Sequence, residues 1–73
     1  MQLSASGRTS VVVNGEPAAA AAATLAELLS ELGYEPDHVA TALNGAFVPR
    51  RARAETRLAA GDEVEIVAPR QGG

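Results

Sequence analysis

The chain has 73 residues, so it forms one small domain at most and has no room for a separate cofactor-binding domain. It contains no Cys and a single His, His38, which excludes a disulfide, a catalytic thiolate and a multi-His metal site. Its net charge of −3 disfavours nucleic acid as a partner. The sequence lacks an apolar run long enough to cross a membrane, and it lacks the apolar segment of a signal peptide. We therefore expect a cytoplasmic, metal-free protein.

The N-terminal part predicts a flexible extension followed by a β-hairpin. Residues 1–10 are small, polar and without periodicity, so we expect an extension outside the fold. Val11–Val13 is a β-branched run followed by Asn14 and Gly15, a pair typical of two-residue hairpin turns because both residues need positive φ. The return strand is then Glu16–Ala20, although Pro and Ala are poor strand formers.

One helix is predicted over Leu25–Leu32. Thr24 is a good N-cap residue, Glu27 three positions later completes a capping box, and Gly33 fits the left-handed position that ends a helix. The four leucines of the segment form one apolar stripe. The preceding run of six alanines, residues 18–23, favours helix by intrinsic propensity, so a longer helix that begins inside this run is the alternative.

A second hairpin is predicted in the middle of the chain. Val39–Leu43 has the composition of a buried strand, and Asn44 with Gly45 repeats the hairpin signal. The return strand is Ala46–Val48, and it ends at Pro49 because proline cannot donate to a strand ladder.

The C-terminal third predicts an irregular segment, one strand and a tail. Residues 50–58 are polar and aperiodic. Glu63–Val67 alternates, which directs Val64 and Ile66 to the core and the glutamates to water. Residues 68–73 contain no apolar anchor, so we expect a mobile tail that ends in two glycines.

Together these elements predict an α+β fold in the β-grasp arrangement, in which a mixed sheet of four to five strands wraps one main helix. The fold would comprise residues 11–67. A helix of two turns cannot bury its leucines alone, so the core is expected between the helix and the sheet. The expected core residues are Leu25, Leu28, Leu29 and Leu32 from the helix and Val11, Val13, Val39, Leu43, Val64 and Ile66 from the sheet.

Two groups of polar side chains are candidates for a functional role. His38 lies in a turn-like stretch and is interpreted as a solvated loop histidine rather than a catalytic base. Four arginines, at positions 50, 51, 53 and 57, fall within eight residues. They form either a docking patch for an acidic partner or an ordinary solvated loop balanced by nearby carboxylates.

The C-terminus, Gln71-Gly72-Gly73, is the segment with the clearest chemistry. Glycines can enter a narrow channel that a Cβ would block, which suits a chain end delivered into another protein's active site. A carboxylate is a poor electrophile, but adenylation by ATP would make it reactive towards a sulfur nucleophile. The alternative is that the two glycines form an end without a role.

Several stretches of the sequence resemble the ThiS family of bacterial sulfur carrier proteins of thiamine biosynthesis. The resemblance extends over residues 11–73. The matching stretches are Val13–Glu16, Thr24–Leu29, Val39–Arg50, Leu58, Gly61–Ile66 and Gln71–Gly73.

The resemblance implies a ubiquitin-like β-grasp domain that carries sulfur and is not an enzyme. A ThiF-type adenylyltransferase would activate the Gly73 carboxylate with ATP, a sulfur donor system would convert it to a thiocarboxylate, and a ThiG-type thiazole synthase would take the sulfur. Gln71 and Gly72 would enter the partners' active sites. The resemblance implies no bound cofactor, only the covalent acyl-adenylate and thiocarboxylate, and a monomer when the carrier is free.

A carrier of this kind would dock both partners through the exposed sheet face and the tail. Phe47, Val48 and Arg50 are the side chains predicted to take part, and the alternative for Phe47 is a place in the core. Three other functions stay open: a carrier similar to the small subunit of molybdopterin synthase, a ubiquitin-like modifier, and a module that only docks a partner.

Overall fold

The computed structural model of the chain describes residues 7–68. Its strands are β1 (Thr9–Val13), β2 (Glu16–Ala20), β3 (Ala40–Leu43), β4 (Ala46–Val48) and β5 (Glu63–Val67). Between them lie the helix α1 (Leu25–Leu32), a first 3₁₀ helix (Pro36–His38) and a second 3₁₀ helix (Arg50–Glu55). Within the described residues the strands form one sheet in the order β2-β1-β5-β3-β4, with β1 and β5 parallel and the other neighbours antiparallel. The predicted α+β β-grasp arrangement is confirmed.

Both hairpin turns have the predicted conformation. Asn14 and Gly15 have φ angles of 50° and 86°, and Asn44 and Gly45 have φ angles of 51° and 86°. These values fit a two-residue turn whose twist matches that of the flanking strands. The predicted strand start at Val11 is wrong by two residues, because residues 9 and 10 pair with Ala20 and Ala19 of β2.

Two further boundaries differ from the sequence-based prediction. The middle strand begins at Ala40 rather than at Val39, because the first 3₁₀ helix ends immediately before Val39. Residues 50–58 are not irregular throughout, since Arg50–Glu55 forms the second 3₁₀ helix. Pro49 precedes this helix as its N-cap residue, and its fixed φ of −67° suits that position.

The helix α1 has the predicted bounds and caps. The Oγ1 atom of Thr24 accepts the N–H of Glu27 at 3.2 Å, and Gly33 takes the left-handed conformation with a φ of 86°. The capping box is shifted by one residue, because the Glu27 carboxylate accepts from the N–H of Ala23 at 2.9 Å rather than from that of Thr24. A glutamate in the first turn also interacts favourably with the positive end of the helix dipole.

The alanine run forms the end of β2 and an extended loop, so the alternative of a longer helix is wrong. The carboxylate of Glu31 accepts the backbone N–H groups of Ala21 and Ala22 at 3.0–3.2 Å. Ala20 and Ala22 are buried in the core. The loop therefore gains core contacts and satisfied donors, which outweigh the helix propensity of alanine.

The core lies between α1 and the inner face of the sheet, as predicted. Its members are Val11, Ala20, Ala22, Leu25, Leu28, Leu29, Val48, Val64 and Ile66, with Val13, Val39 and Leu43 partly buried against them. The placement of Leu32 in the core is wrong, because 42% of its surface is exposed. Tyr34 packs against the core at this end of the helix instead.

Candidate functional site

The last strand before the C-terminus is β5, which lies in the middle of the sheet. Val64 and Ile66 are buried, Glu63 and Glu65 are exposed, and the last described residue is Ala68. Gln71, Gly72 and Gly73 lie outside the described residues, so their predicted role stays a prediction. The C-terminal segment therefore begins directly after β5, whose last residue, Val67, is exposed.

The outer face of the sheet carries an exposed apolar surface next to the end of β5. Phe47 is 70% exposed and Val67 is 61% exposed. Phe47 lies opposite Ala42, and Val67 lies opposite Ala40, so all four side chains share the face that α1 does not cover. A shallow hollow of about 180 Å³ lies between them and is bordered by Glu65. We call this surface, formed by Ala40, Ala42, Phe47 and Val67, the outer apolar face.

Phe47 and Val48 lie on opposite faces of β4. Phe47 is exposed, so the alternative that it belongs to the core is wrong. Val48 is 8% exposed and belongs to the core, so the prediction that its side chain docks a partner is corrected. Successive side chains of a strand point to opposite faces of the sheet, and this alternation explains why Phe47 is exposed while Val48 is buried.

Arg50 lies at the start of the second 3₁₀ helix and is exposed. Its Nη2 atom lies 2.9 Å from Oδ1 of Asp37, and both side chains are 65% exposed. An exposed ion pair of this kind contributes little to stability, so the arginine can exchange Asp37 for a partner's carboxylate. The arrangement is compatible with the predicted docking role, which stays a prediction.

The arginine cluster is neither a uniform docking patch nor a uniformly solvated loop. Arg51 and Arg57 are exposed, whereas Arg53 is only 4% exposed. Arg53 donates from Nε to Oγ1 of Thr41 at 3.0 Å, from Nη1 to the Pro36 carbonyl at 2.9 Å and from Nη2 to the Val39 carbonyl at 2.8 Å. It is thus a structural residue that both interpretations of the cluster missed. Its acceptors come from distant segments, so no local pattern marks it.

Other conventional sites are not found within residues 7–68. No group of three or more His, Cys, Asp or Glu side chains in this part could hold a metal ion. No helix among the described residues is long and apolar enough to cross a membrane. His38 is exposed, which confirms that it is solvated, but it lies at the end of the first 3₁₀ helix rather than in a loop.

A family model supplies the observation that decides the classification. The model of the ThiS family matches residues 6–73, which include the whole described fold and the three C-terminal residues predicted to enter partner sites. This chain belongs to the ThiS family. Among curated proteins, none matches the chain.

Two solved structures are similar to this ThiS-family chain. The crystal structure of the thiamine biosynthesis protein ThiS from Geobacter metallireducens is 33% identical with a TM-score of 0.74, and the match covers 89% of this chain and 100% of that one. The solution NMR structure of a thiamine biosynthesis protein from the same organism is 33% identical with a TM-score of 0.75, covering 89% of this chain and 88% of that one. The ubiquitin-like β-grasp fold of the ThiS family is therefore shared over nearly the whole chain.

Proposed function

We propose that this chain is the sulfur carrier protein of thiamine biosynthesis and carries sulfur on the carboxylate of Gly73. The observation that carries the proposal is the ThiS family match, which extends through residue 73. The 33% identity to the ThiS protein of Geobacter metallireducens supports the same pathway. The carrier would be a cosubstrate of its partners and not a catalyst, acting in the cytoplasm as a monomer when free.

The chemistry proceeds in three steps at the terminal carboxylate. The carboxylate attacks the α-phosphorus of ATP on a ThiF-type adenylyltransferase, which releases pyrophosphate and leaves an acyl-adenylate. A sulfide-level donor then adds sulfur to the acyl carbon, and AMP leaves. The resulting thiocarboxylate gives its sulfur to a ThiG-type thiazole synthase, which builds the thiazole ring.

The position of β5 supports delivery of this end into a partner. Five residues follow Ala68, and an extended chain of this length reaches at most about 17 Å. Gly72 and Gly73 carry no side chain, so the last part of the segment can pass a narrow channel. Gln71 would then lie at the channel entrance.

The outer apolar face is the surface that we propose for docking. Val67 belongs to this face and is also the last residue of β5, so a partner bound there would contact the start of the C-terminal segment. Exposed aromatic side chains are frequent anchors of protein interfaces, which favours Phe47 as the main contact. Arg50, which follows Pro49 after β4, would add a charged contact to a partner's carboxylate.

The proposal is tested by intact-protein mass spectrometry after incubation with ATP, a ThiF-type adenylyltransferase and a sulfide donor. We expect a mass gain equal to the exchange of one oxygen for one sulfur, and no gain in a variant that lacks Gly73. Absence of the gain, with an adenylyltransferase that modifies a control carrier, would favour a modifier or a docking module.

A second step separates the thiamine pathway from the molybdopterin alternative. The thiocarboxylated protein is offered in parallel to a ThiG-type thiazole synthase and to the large subunit of a molybdopterin synthase. We expect the mass to return to that of the carboxylate only with the thiazole synthase. Sulfur loss only to the molybdopterin synthase subunit would assign the chain to the other pathway.

A further inference from the structure

Asn14, at the tip of the first hairpin, binds a backbone segment 52 residues further along the chain. Its Nδ2 atom donates to the carbonyl of Ile66 at 3.2 Å, and its Oδ1 atom accepts the N–H of Ile66 at 2.8 Å. A single side-chain amide thus satisfies both backbone polar groups of one β5 residue. The pair of bonds takes the place of a neighbouring strand.

These bonds extend the contact between β1 and β5 beyond the point where β1 turns away. The backbone ladder runs from the N–H of Val12 to the Asp62 carbonyl at 2.9 Å and from the N–H of Asn14 to the Val64 carbonyl at 2.8 Å. The chain then reverses at Gly15, so β1 offers no backbone partner to Ile66. On the other side, β3 pairs with β5 as far as Val67. The end of β5 is therefore hydrogen-bonded on both sides, by Asn14 on one side and by β3 on the other.

Asn44 occupies the equivalent turn position in the second hairpin but holds the opposite end of β5. Its φ of 51° matches the 50° of Asn14, and a glycine follows each of them. Its Oδ1 atom accepts the N–H of Glu63 at 2.9 Å, and its Nδ2 atom donates to Oδ1 of Asp62 at 3.0 Å. The two turn asparagines thus fix the start and the end of the same strand.

We propose that Asn14 is a positioning residue for the delivery of the terminal carboxylate to partner enzymes, the adenylyltransferase included, because it fixes the end of β5 from which the C-terminal segment leaves the fold. The proposal rests on the proposed carrier function. A partner that binds the outer apolar face must also receive the terminal carboxylate at a fixed distance from that face. If the end of β5 is loosened, the partner has to order a longer segment on docking, and this ordering weakens productive binding.

The test compares Asn14→Gly with the matched control Asn44→Gly. Glycine is well suited to both turn positions, so each variant keeps its hairpin and loses only the side-chain bonds. Adenylation by a ThiF-type enzyme is followed with the carrier as the varied substrate. For Asn14→Gly we expect the KM for the carrier to rise about tenfold with kcat unchanged, whereas Asn44→Gly changes KM less than about twofold.

The role of Asn14 is also tested with a second variant, Asn14→Asp, and with amide hydrogen exchange. Asn14→Asp keeps the turn and the acceptor for the Ile66 N–H but sets a carboxylate oxygen against the Ile66 carbonyl in place of the donor, so its KM is also expected to rise above that of the wild type. Amide hydrogen exchange by NMR is expected to rise at Val67 in Asn14→Gly but not in Asn44→Gly. Equal KM changes in the two glycine variants, or unchanged exchange at Val67 in Asn14→Gly, would overturn the positioning role.

The exchange readout separates this proposal from the carrier function. If the wild-type protein is not adenylated at all, the proposed function fails, whereas the Val67 exchange still reports whether Asn14 fixes the end of β5. If the wild-type protein is adenylated and Asn14→Gly reacts with the same KM, the positioning role fails and the carrier function stands.

Discussion

Arg53 donates a hydrogen bond from Nε to the hydroxyl oxygen of Thr41 across 3.0 Å, and both side chains are buried. Thr41 in turn donates from Oγ1 to the carbonyl of Val48 at 2.8 Å. The remaining guanidinium bonds of Arg53 reach the carbonyls of Pro36 and Val39. One buried cation therefore links the second 3₁₀ helix to β3 and to the segment before it, and Thr41 continues the link to β4.

Replacing Arg53 by methionine should destabilise the fold strongly. Arg53→Met removes the donor to the buried Thr41 hydroxyl and leaves the part-buried carbonyls of Pro36 and Val39 without their donors, so we expect the free energy of unfolding to fall by about 2–4 kcal/mol. Urea denaturation monitored by circular dichroism measures the change. The control is Arg51→Met in the same 3₁₀ helix, whose exposed side chain should change stability by less than about 0.5 kcal/mol. Equal losses in the two variants would contradict the structural role of Arg53.

The carboxylate of Glu31 should hold the loop between β2 and α1 in place. Glu31→Ala removes the acceptor of the Ala21 and Ala22 N–H groups, so we expect a loss of about 1 kcal/mol, as for a removed helix cap. Faster hydrogen exchange at these two amides would accompany the loss. The control is Glu35→Ala, because Glu35 is exposed and its side chain caps no helix. Unchanged exchange at Ala21 and Ala22 would show that water replaces the carboxylate at no cost.

Local signals in the sequence were sufficient to predict most of the fold. The two Asn-Gly pairs predicted both hairpins, and the interval from Thr24 to Gly33 predicted the helix with its bounds, because turns and caps depend on the conformational preferences of a few adjacent residues. The placement of Leu32 failed for a different reason. A periodic stripe shows which residues share a face but not where the sheet beneath that face ends.

The candidate site was harder to predict from the sequence, because the exposure of its side chains depends on tertiary structure. Phe47 was identified, but whether it is core or surface depends on which face of β4 the helix covers, and this is a tertiary relationship. Val67, the second large side chain of the outer apolar face, was not singled out, since the alternation of β5 marks it only as a non-core position. The burial of Arg53 depends on carbonyls from other segments, so it carries no local signal.

The left-handed residue that ends α1 should tolerate asparagine better than alanine. Gly33 has a φ of 86°, and its N–H is bound to the carbonyls of Leu29 and Ser30. Gly33→Ala forces a Cβ into this conformation, and we expect a loss of about 1 kcal/mol, or a fall in Tm of about 4–8 °C for a domain of this size. Gly33→Asn should lose less than half as much, because asparagine adopts this conformation more readily. Thermal unfolding of the two variants would contradict the argument if alanine were the better tolerated of the two.

Phe47 should contribute to partner binding without contributing to stability. Because 70% of its surface is exposed, we expect Phe47→Ala to leave the urea midpoint nearly unchanged. Loss of an aromatic anchor should weaken binding to a ThiF-type adenylyltransferase about tenfold, measured by isothermal titration calorimetry. The matched control is Leu32→Ala, which removes another exposed apolar side chain, located on the helix rather than on the outer apolar face. If both variants bind as the wild type does, or if Leu32→Ala has the larger effect, docking does not use the outer apolar face.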